Sequence, residues 1–392
     1  MNLDAYAKYT TNLISSFLSR KAVAPFPAEL DANLFFRFCA FHKIQNLVYL
    51  ALSETDMSEE LSKLFKNSYF ALLNFMAVQQ HYIEKVESAF EDAGIDYFII
   101  KGSETAKFYP SADMRQSSDF DIYIGNEKAE LARDIMVNLG FAVEDYADDD
   151  GHDKYIINNA ILCELHRVLV QDDFPWKDEC NKIPDRVIKC EKGEHRYEMS
   201  IEDAYIYNLA HAANHIKSAG IGIRVFVDLW LMYSKCKDKF DWECLNERLE
   251  NAKLKKFEEC SRALFLYWFE GVETADPTIK AMAEFVLESG WIGTYDQYAS
   301  AKLAEESADS ASSASAKFES YKKMIFPSYK DLVSRYPKAE KHKILVPYYY
   351  VYRIVKSVFG KDGGAKRVIG EINTANLKDG QDLLKLKKEI GL

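Results

Sequence analysis

Apolar residues recur at three- and four-residue spacing through "ANLFFRFCAFHKIQNLVYLAL" and "LSKLFKNSYFALLNFMAVQQHYIEKVESAFEDAG". That period puts them on one side of a helix, so the chain up to about residue 94 reads as helical. Gly94 ends the second stretch, at the place where a helix commonly closes on a left-handed residue. The pattern then changes. "IDYFIIKG" and the alternating "DFDIYIG" are short β-type runs, and "NEKAELARDIMVNLG", from Asn126 to Gly140, reads as a helix with a polar start. "FAVEDY", "KYIINN" and "AILCELHRVL" are three more candidate strands, the first two parted by the acidic turn "ADDDGHD". Strands and helices interleave between about residues 95 and 170, which predicts a small mixed sheet with helices packed on it.

From "SIEDAYIYNLAHAANHI" onward the helical period returns and runs to the C-terminus. The Ala/Ser-rich stretch at 299–318 interrupts it and reads as a solvated helix or a flexible insertion, the insertion being favoured for its Ser-rich half. The aromatic "PYYYVYRIV" reads as a packed helix. The expected fold class is α+β, with a helical region over 1–84, a core over 85–198 and a helical domain over 199–392.

Composition narrows the choice of partner. The 392 residues are 48% hydrophobic and 14% aromatic, enough for a sizeable buried core. The formal net charge of −11 argues against a protein that coats DNA or RNA, while leaving room for a local basic pocket. No apolar run nears the roughly 18 residues of a membrane span. The first residues lack the basic start and apolar stretch of a signal peptide. Seven scattered cysteines, never in CxxC spacing, read as reduced thiols. The expectation is a cytoplasmic protein with no membrane partner.

The candidate chemistry lies in "IIKGSETAKFYPSADMRQSSDFDIYIG". Residues i and i+2 of a strand share a face, so Asp119 and Asp121 aim two carboxylates into one small region. Like charges so close either share a proton or hold a cation, and hard oxygen ligands suit Mg²⁺ together with substrate phosphates. Glu164, in "ILCELHRVL", is a third acid where a core residue would be expected, and His166 follows on the same face. Upstream, Gly102-Ser103 joins a strand to a helix start, a place where backbone N–H groups meet phosphate oxygens. Lys101 and Arg115 are the nearby cations. Solvated or structural alternatives exist: Glu164 could simply pair with Lys154 or Arg167, and Arg224 with Asp228 four residues on. His211 and His215 share one helical face, expected against the cleft or the core rather than around a metal.

Taken as an ordered set, "KGSETAKFYPSADMRQSSDFDIYI", "ELHRVL", "HAANHIKSAGIGIRVFVDLWLMY" and "FPSYKDLVSRYPKAEKHKILVPYYYVYRI" resemble the bacterial family called uncharacterised nucleotidyltransferases. That family belongs to the nucleotidyltransferase superfamily, and the likeness runs from about residue 95 to 355. Glu164 stands where the superfamily more usually has Asp. The resemblance implies a nucleotidyltransferase core of DNA-polymerase-β-like fold. It also implies transfer of a nucleoside monophosphate from a nucleoside triphosphate such as ATP to an acceptor hydroxyl, with pyrophosphate released. In that scheme Asp119, Asp121 and Glu164 are catalytic and hold two Mg²⁺ ions, or Mn²⁺ in their place. Lys101, Gly102, Ser103, Arg115 and Arg224 bind the nucleotide, and His166, His211 and His215 support the ligands. Arg224 is expected to face Asp119 across a cleft and to point at phosphate or be held by Asp228. The acceptor is expected to be a small molecule or a protein rather than a nucleic acid. A nucleotidyltransferase-like binding module without turnover is the alternative from another class, and a toxin-like modifier of protein or tRNA is a third.

Overall fold

The computed structural model describes residues 3–146, 151–170, 174–218, 220–290, 293–306 and 376–392. Four helices come first: α1 (Leu3–Leu18), α2 (Ala32–Phe41), α3 (Gln45–Leu52) and α4 (Glu59–Ala93). The sheet region follows as β1 (Tyr97–Ile99), α5 (Ser103–Ala106), β2 (Asp119–Tyr123), α6 (Ala129–Asn138), β3 (Ala142–Asp145), β4 (His152–Ile157), β5 (Ile161–His166), α7 (Lys177–Cys180), β6 (Ile188–Lys189) and β7 (Arg196–Glu198). The remaining described elements are α8 (Ile201–Ser218), α9 (Ile223–Cys236), α10 (Trp242–Asn251), α11 (Lys255–Phe269), α12 (Pro277–Ser289), α13 (Tyr295–Glu306) and α14 (Leu377–Glu389). Among the described residues no helix is long and apolar enough to cross a membrane. All seven cysteines are free thiols, five of them buried.

The seven strands form one mixed sheet in the order β3-β4-β5-β2-β1-β7-β6, so the α+β expectation holds. At its centre β2 runs parallel to β5 and antiparallel to β1. The edge made by β6 and β7 was not legible as strand. β7 is three residues of "RYE", too short to show any period, and it is placed by pairing in parallel with β1. The stretch read as "ADDDGHD" turn ends earlier than expected, because His152 and Asp153 already pair with His166 and Leu165. Residues 147–150 of that turn lie outside the described residues, as do 307–318 of the Ala/Ser-rich stretch and the aromatic "PYYYVYRIV".

Alternation decides which face meets what. Phe120 and Ile122 of β2, Cys163 and Leu165 of β5, and Tyr155 and Ile157 of β4 join one apolar cluster with Ile83, Val86 and Phe90 of α4 and Ala132 and Met136 of α6. The intervening residues are left for the opposite face. Ser58 caps the start of α4 by accepting from the Leu61 N–H, and Gly94, left-handed, ends it. The first helical stretch is interrupted at Lys43, whose positive φ separates α2 from α3.

The chain divides into two compact units. One comprises Met1–His215, Ile221–Trp291 and Ile390–Leu392, and contains the sheet; the other comprises Ile216–Gly220 and Ile292–Glu389. In the second unit α13 and α14 pack through Ala299, Leu303, Ala304 and Leu377, with Leu384 alongside. Residues 299–306, the Ala-rich start of the 299–318 stretch, are helix, one of the two readings the sequence allowed there. The approach is governed by Gly380: a Cβ there would lie 2.0 Å from the Ser300 carbonyl oxygen. Replacing a helix-interior glycine by alanine ordinarily stabilises by about 0.5–1 kcal/mol. Gly380→Ala is expected to do the reverse, speeding amide exchange across 376–392. Unchanged or slower exchange would show that the two helices do not meet at this residue.

Candidate functional site

The polar face of the sheet is assembled by register. Asp121 of β2 stands directly beside Glu164 of β5, and Glu164 in turn faces Lys154 of β4. His166 lies opposite His152, and the two imidazoles stack with centroids 4.9 Å apart. One donor atom each from Asp121, Glu164 and His166 falls within 4.8 Å of the others, a set able to hold a metal ion. This differs from the expected trio in one member. Asp119, two residues along the same face, is not within that set, and His166 is. Asp119 accepts instead from the Ser118 hydroxyl at 3.3 Å.

Cations and hydrogen bonds hold the acids together. The Lys101 ammonium lies 3.1 Å from Asp121 Oδ1, and His166 Nε2 is 3.0 Å from the same oxygen and 3.5 Å from Glu164 Oε2. Burial would raise the Asp121 carboxyl, which is 1% exposed, but Lys101 and His166 outweigh it and hold it well below the usual carboxylate range. Glu164 is also lowered: burial opposes ionisation, and the His166 hydrogen bond overcomes it. Asp119 moves the other way, raised by burial and by the Asp121 charge. Burial disfavours charge on His166 too, yet its bonds to Asp121 and Glu164 raise its pKa. Glu164 also has Lys154 at 3.6 Å, the pairing considered as an alternative, whereas Arg167 goes to the buried Asp153 at 3.0 Å.

The Gly-Ser turn follows β1. Gly102 has φ +70° and ψ −104°, a conformation that L side chains rarely adopt, and a Cβ there would lie 3.3 Å from the Ser117 hydroxyl. Ser103 opens α5, which is a single turn of four residues, so the helix-start expectation survives only in minimal form. Arg115 is engaged elsewhere than with open phosphate space. Its guanidinium grips Asp228 of α9 with two bonds of 2.9 Å and donates to the Gly102 carbonyl at 3.2 Å. Tyr109 donates to the same carboxylate at 2.7 Å. Arg115 thus fixes the shape of the turn, a fork-to-carboxylate contact for which its planar guanidinium suits it.

With Asp228 taken by Arg115, Arg224 makes no ion pair with it. Arg224 Nη1 donates to the Gln116 carbonyl at 2.8 Å, and its buried Nε has no partner. Burial and the Arg115 charge lower its pKa, and the charges of both Asp119 and Asp228 act on it. Lys43, at the break between α2 and α3, is a further cation of this neighbourhood, lowered by burial and by Arg224. The sequence reading missed it because only a tertiary contact brings α3 to the loop after α5. Gln45 of α3 donates to Gln116 Oε1 at 3.1 Å.

From α8, Tyr207 and His211 turn one face to the same region, and His215 continues it. The Lys101 and Asp121 charges act on Tyr207 and His211, and the Lys101 charge also acts on His215. His211 and His215 bond to one another through their Nε2 atoms at 3.2 Å. Tyr207, 4% exposed, was legible only as the preceding member of a four-residue period.

Removing Arg115 leaves the Asp228 carboxylate buried without its counter-ion, which typically costs about 3–5 kcal/mol. Arg115→Met should lower the urea midpoint accordingly, and Arg115→Met with Asp228→Leu should lose less than the two single changes summed; strict additivity would show that the pair is not coupled. The histidines predict a pH effect. Burial, followed by the Lys101 charge, lowers His215 from 6.5 to about 4 and His211 well below 6.5. The unfolded chain therefore binds protons below pH 6.5 that the folded chain refuses, and stability falls as pH drops from 6.5 toward 4. His211→Asn with His215→Asn should flatten that fall in urea titrations at pH 7 and 4.5, and an unaltered slope would contradict it.

Asp119, Asp121 and Glu164 on neighbouring central strands, with a Gly-Ser turn before them, are the features by which the sequence resembled a nucleotidyltransferase. No curated protein and no solved structure matches the chain. The family model described as "Uncharacterised nucleotidyltransferase" matches residues 28–270, well over half of the sequence. The chain therefore belongs to the uncharacterised nucleotidyltransferase family.

Proposed function

We propose that this protein moves a nucleoside monophosphate from a nucleoside triphosphate to an acceptor hydroxyl. The observation that carries the reading is the side-by-side register of Asp121 and Glu164, with Asp119 on the same face, in a chain of this family. The acceptor oxygen attacks the α-phosphorus as the bond to the β-bridging oxygen breaks, and pyrophosphate departs with those electrons. Glu164, whose carboxyl is lowered and so ionised, receives the acceptor's proton.

Asp119, Asp121 and Glu164 are the residues that would hold divalent ions, with Mg²⁺ the ion that carboxylate and phosphate oxygens suit best. Such ions, when bound, neutralise charge on the triphosphate and on the departing oxygen. The donor set fits that role, because carboxylate oxygens dominate it and His166 bonds to both Asp121 and Glu164, as supporting groups around metal ligands do. Lys101, at 3.1 Å from Asp121, is a protein cation in the same region. Gly102 and Ser103 offer backbone and hydroxyl to phosphate oxygens. Arg224 supplies positive charge with an Nε free for an acceptor, and Arg115 acts through the turn that it shapes. With a net charge of −11, a small molecule or a protein is favoured as acceptor over a nucleic acid.

Calorimetry with nucleoside triphosphates and Mg²⁺ tests the reading. Wild type should bind in a Mg²⁺-dependent manner, and Asp119→Asn with Asp121→Asn should lose that dependence. Incubation with α-labelled triphosphates and cell extract should give a labelled acceptor that requires Asp121. Mg²⁺-independent binding of equal strength in both proteins would remove the metal assignment. Binding with no Asp121-dependent label in any extract would leave a nucleotide-binding module.

A further inference from the structure

A cavity of about 270 Å³ lies between α4 and the segment following β1, lined by Met76, Gln79, Ile83, Ser103, Tyr109 and Asp119. Two of those residues, Ser103 and Asp119, belong to the proposed phosphate and metal machinery, so the cavity adjoins the place where a triphosphate would sit. Its α4 wall holds an anomaly. The buried positions of α4 are Leu61, Phe65, Gln79, Ile83, Val86 and Phe90, five apolar residues and one amide. Gln79 is 5% exposed, and its Nε2 has no hydrogen-bond partner. Leaving a buried donor unmade is costly, and a leucine at this point of the stripe would avoid it.

We infer that this cavity is the nucleobase subsite of the enzyme and that Gln79 reads the edge of the base, an inference that rests on the nucleotidyltransferase reading. The size is that of a subsite rather than of a whole ligand pocket, which commonly runs about 300–1,000 Å³. Met76 and Ile83 supply apolar walls for a flat heterocycle. A carboxamide matches a base edge that presents an acceptor beside a donor, as glutamine does with adenine. The triphosphate then extends from the cavity past Ser103 toward Asp119. Gln79 contributes to selection among nucleotides and has no part in the transfer step.

The test compares Mg²⁺-dependent binding of ATP, GTP, CTP, UTP and inorganic tripolyphosphate to wild type, Gln79→Met and Gln79→Glu. Wild type should favour one base. Gln79→Met, of similar length and suited to the apolar stripe, should lose roughly ten-fold in affinity for that nucleotide, while its affinity for tripolyphosphate stays unchanged. Gln79→Glu removes the donor while keeping the shape, and should lower or redirect the preference. A base preference that survives both substitutions overturns the assignment, as does equal wild-type affinity for all four nucleotides. Failure of the wild type to bind any triphosphate, tripolyphosphate included, would instead overturn the nucleotidyltransferase reading and the subsite with it.

Discussion

Repulsion between carboxylates gathered on one face of two neighbouring central strands is the constraint around which this protein is organised. Asp119, Asp121 and Glu164 occupy the centre of the sheet, where Asp121 is buried and the other two are only partly open to screening by water. An isolated buried carboxylate would protonate or unfold its surroundings. The chain answers with Lys101 from the end of β1 and His166 from β5, both within hydrogen-bonding range of Asp121. Arg224 of α9 adds a further positive charge that acts on Asp119. These positive groups come from three separate parts of the sequence, the segment after β1, β5 and α9, all within one compact unit.

The Gly102–Ser118 segment is the point where these contributions meet. It is held by α9 through Asp228, by α9 again through Arg224 at the Gln116 carbonyl, and by α3 through Gln45 at the Gln116 side chain. A loop so tied has little freedom to sample other shapes. The carboxylates at its far end and the turn at its near end therefore keep a fixed spacing before any ligand arrives. Preorganised charge of this kind is what electrostatic catalysis requires, since it spends nothing on reorientation during the reaction.

Much of this was legible in the chain because it is written in short-range period. The i, i+2 rule put Asp119 with Asp121 and Glu164 with His166, and the sheet realises both pairings. What brings β2 and β5 side by side is the whole sheet, so the closest trio could not be read beforehand, and it contains His166 rather than Asp119. The fate of Arg115 was hidden for the same reason. Its partner lies 113 residues away, on a helix whose own Arg224 looked like the nearer match. β7 escaped because three residues carry no period, and Lys43 because its significance arises only where α3 reaches the loop. Gln79 stood in plain view as a polar break in an apolar stripe, but a stripe of helix can tolerate one such break without meaning, and only the cavity beside it gives it one.

The strict alternation of β5 has a further consequence for how errors are handled. Cys163 and Leu165 point into the apolar cluster while Glu164 and His166 point away from it. Sliding this strand by a single residue would drive an acid and an imidazole into the hydrocarbon interior and strand two apolar groups among charges. The alternation that gathers the polar groups of this strand on one face also acts as a proofreading device during assembly, so that a molecule which has passed into the native basin has, by that fact, its carboxylate on the right side.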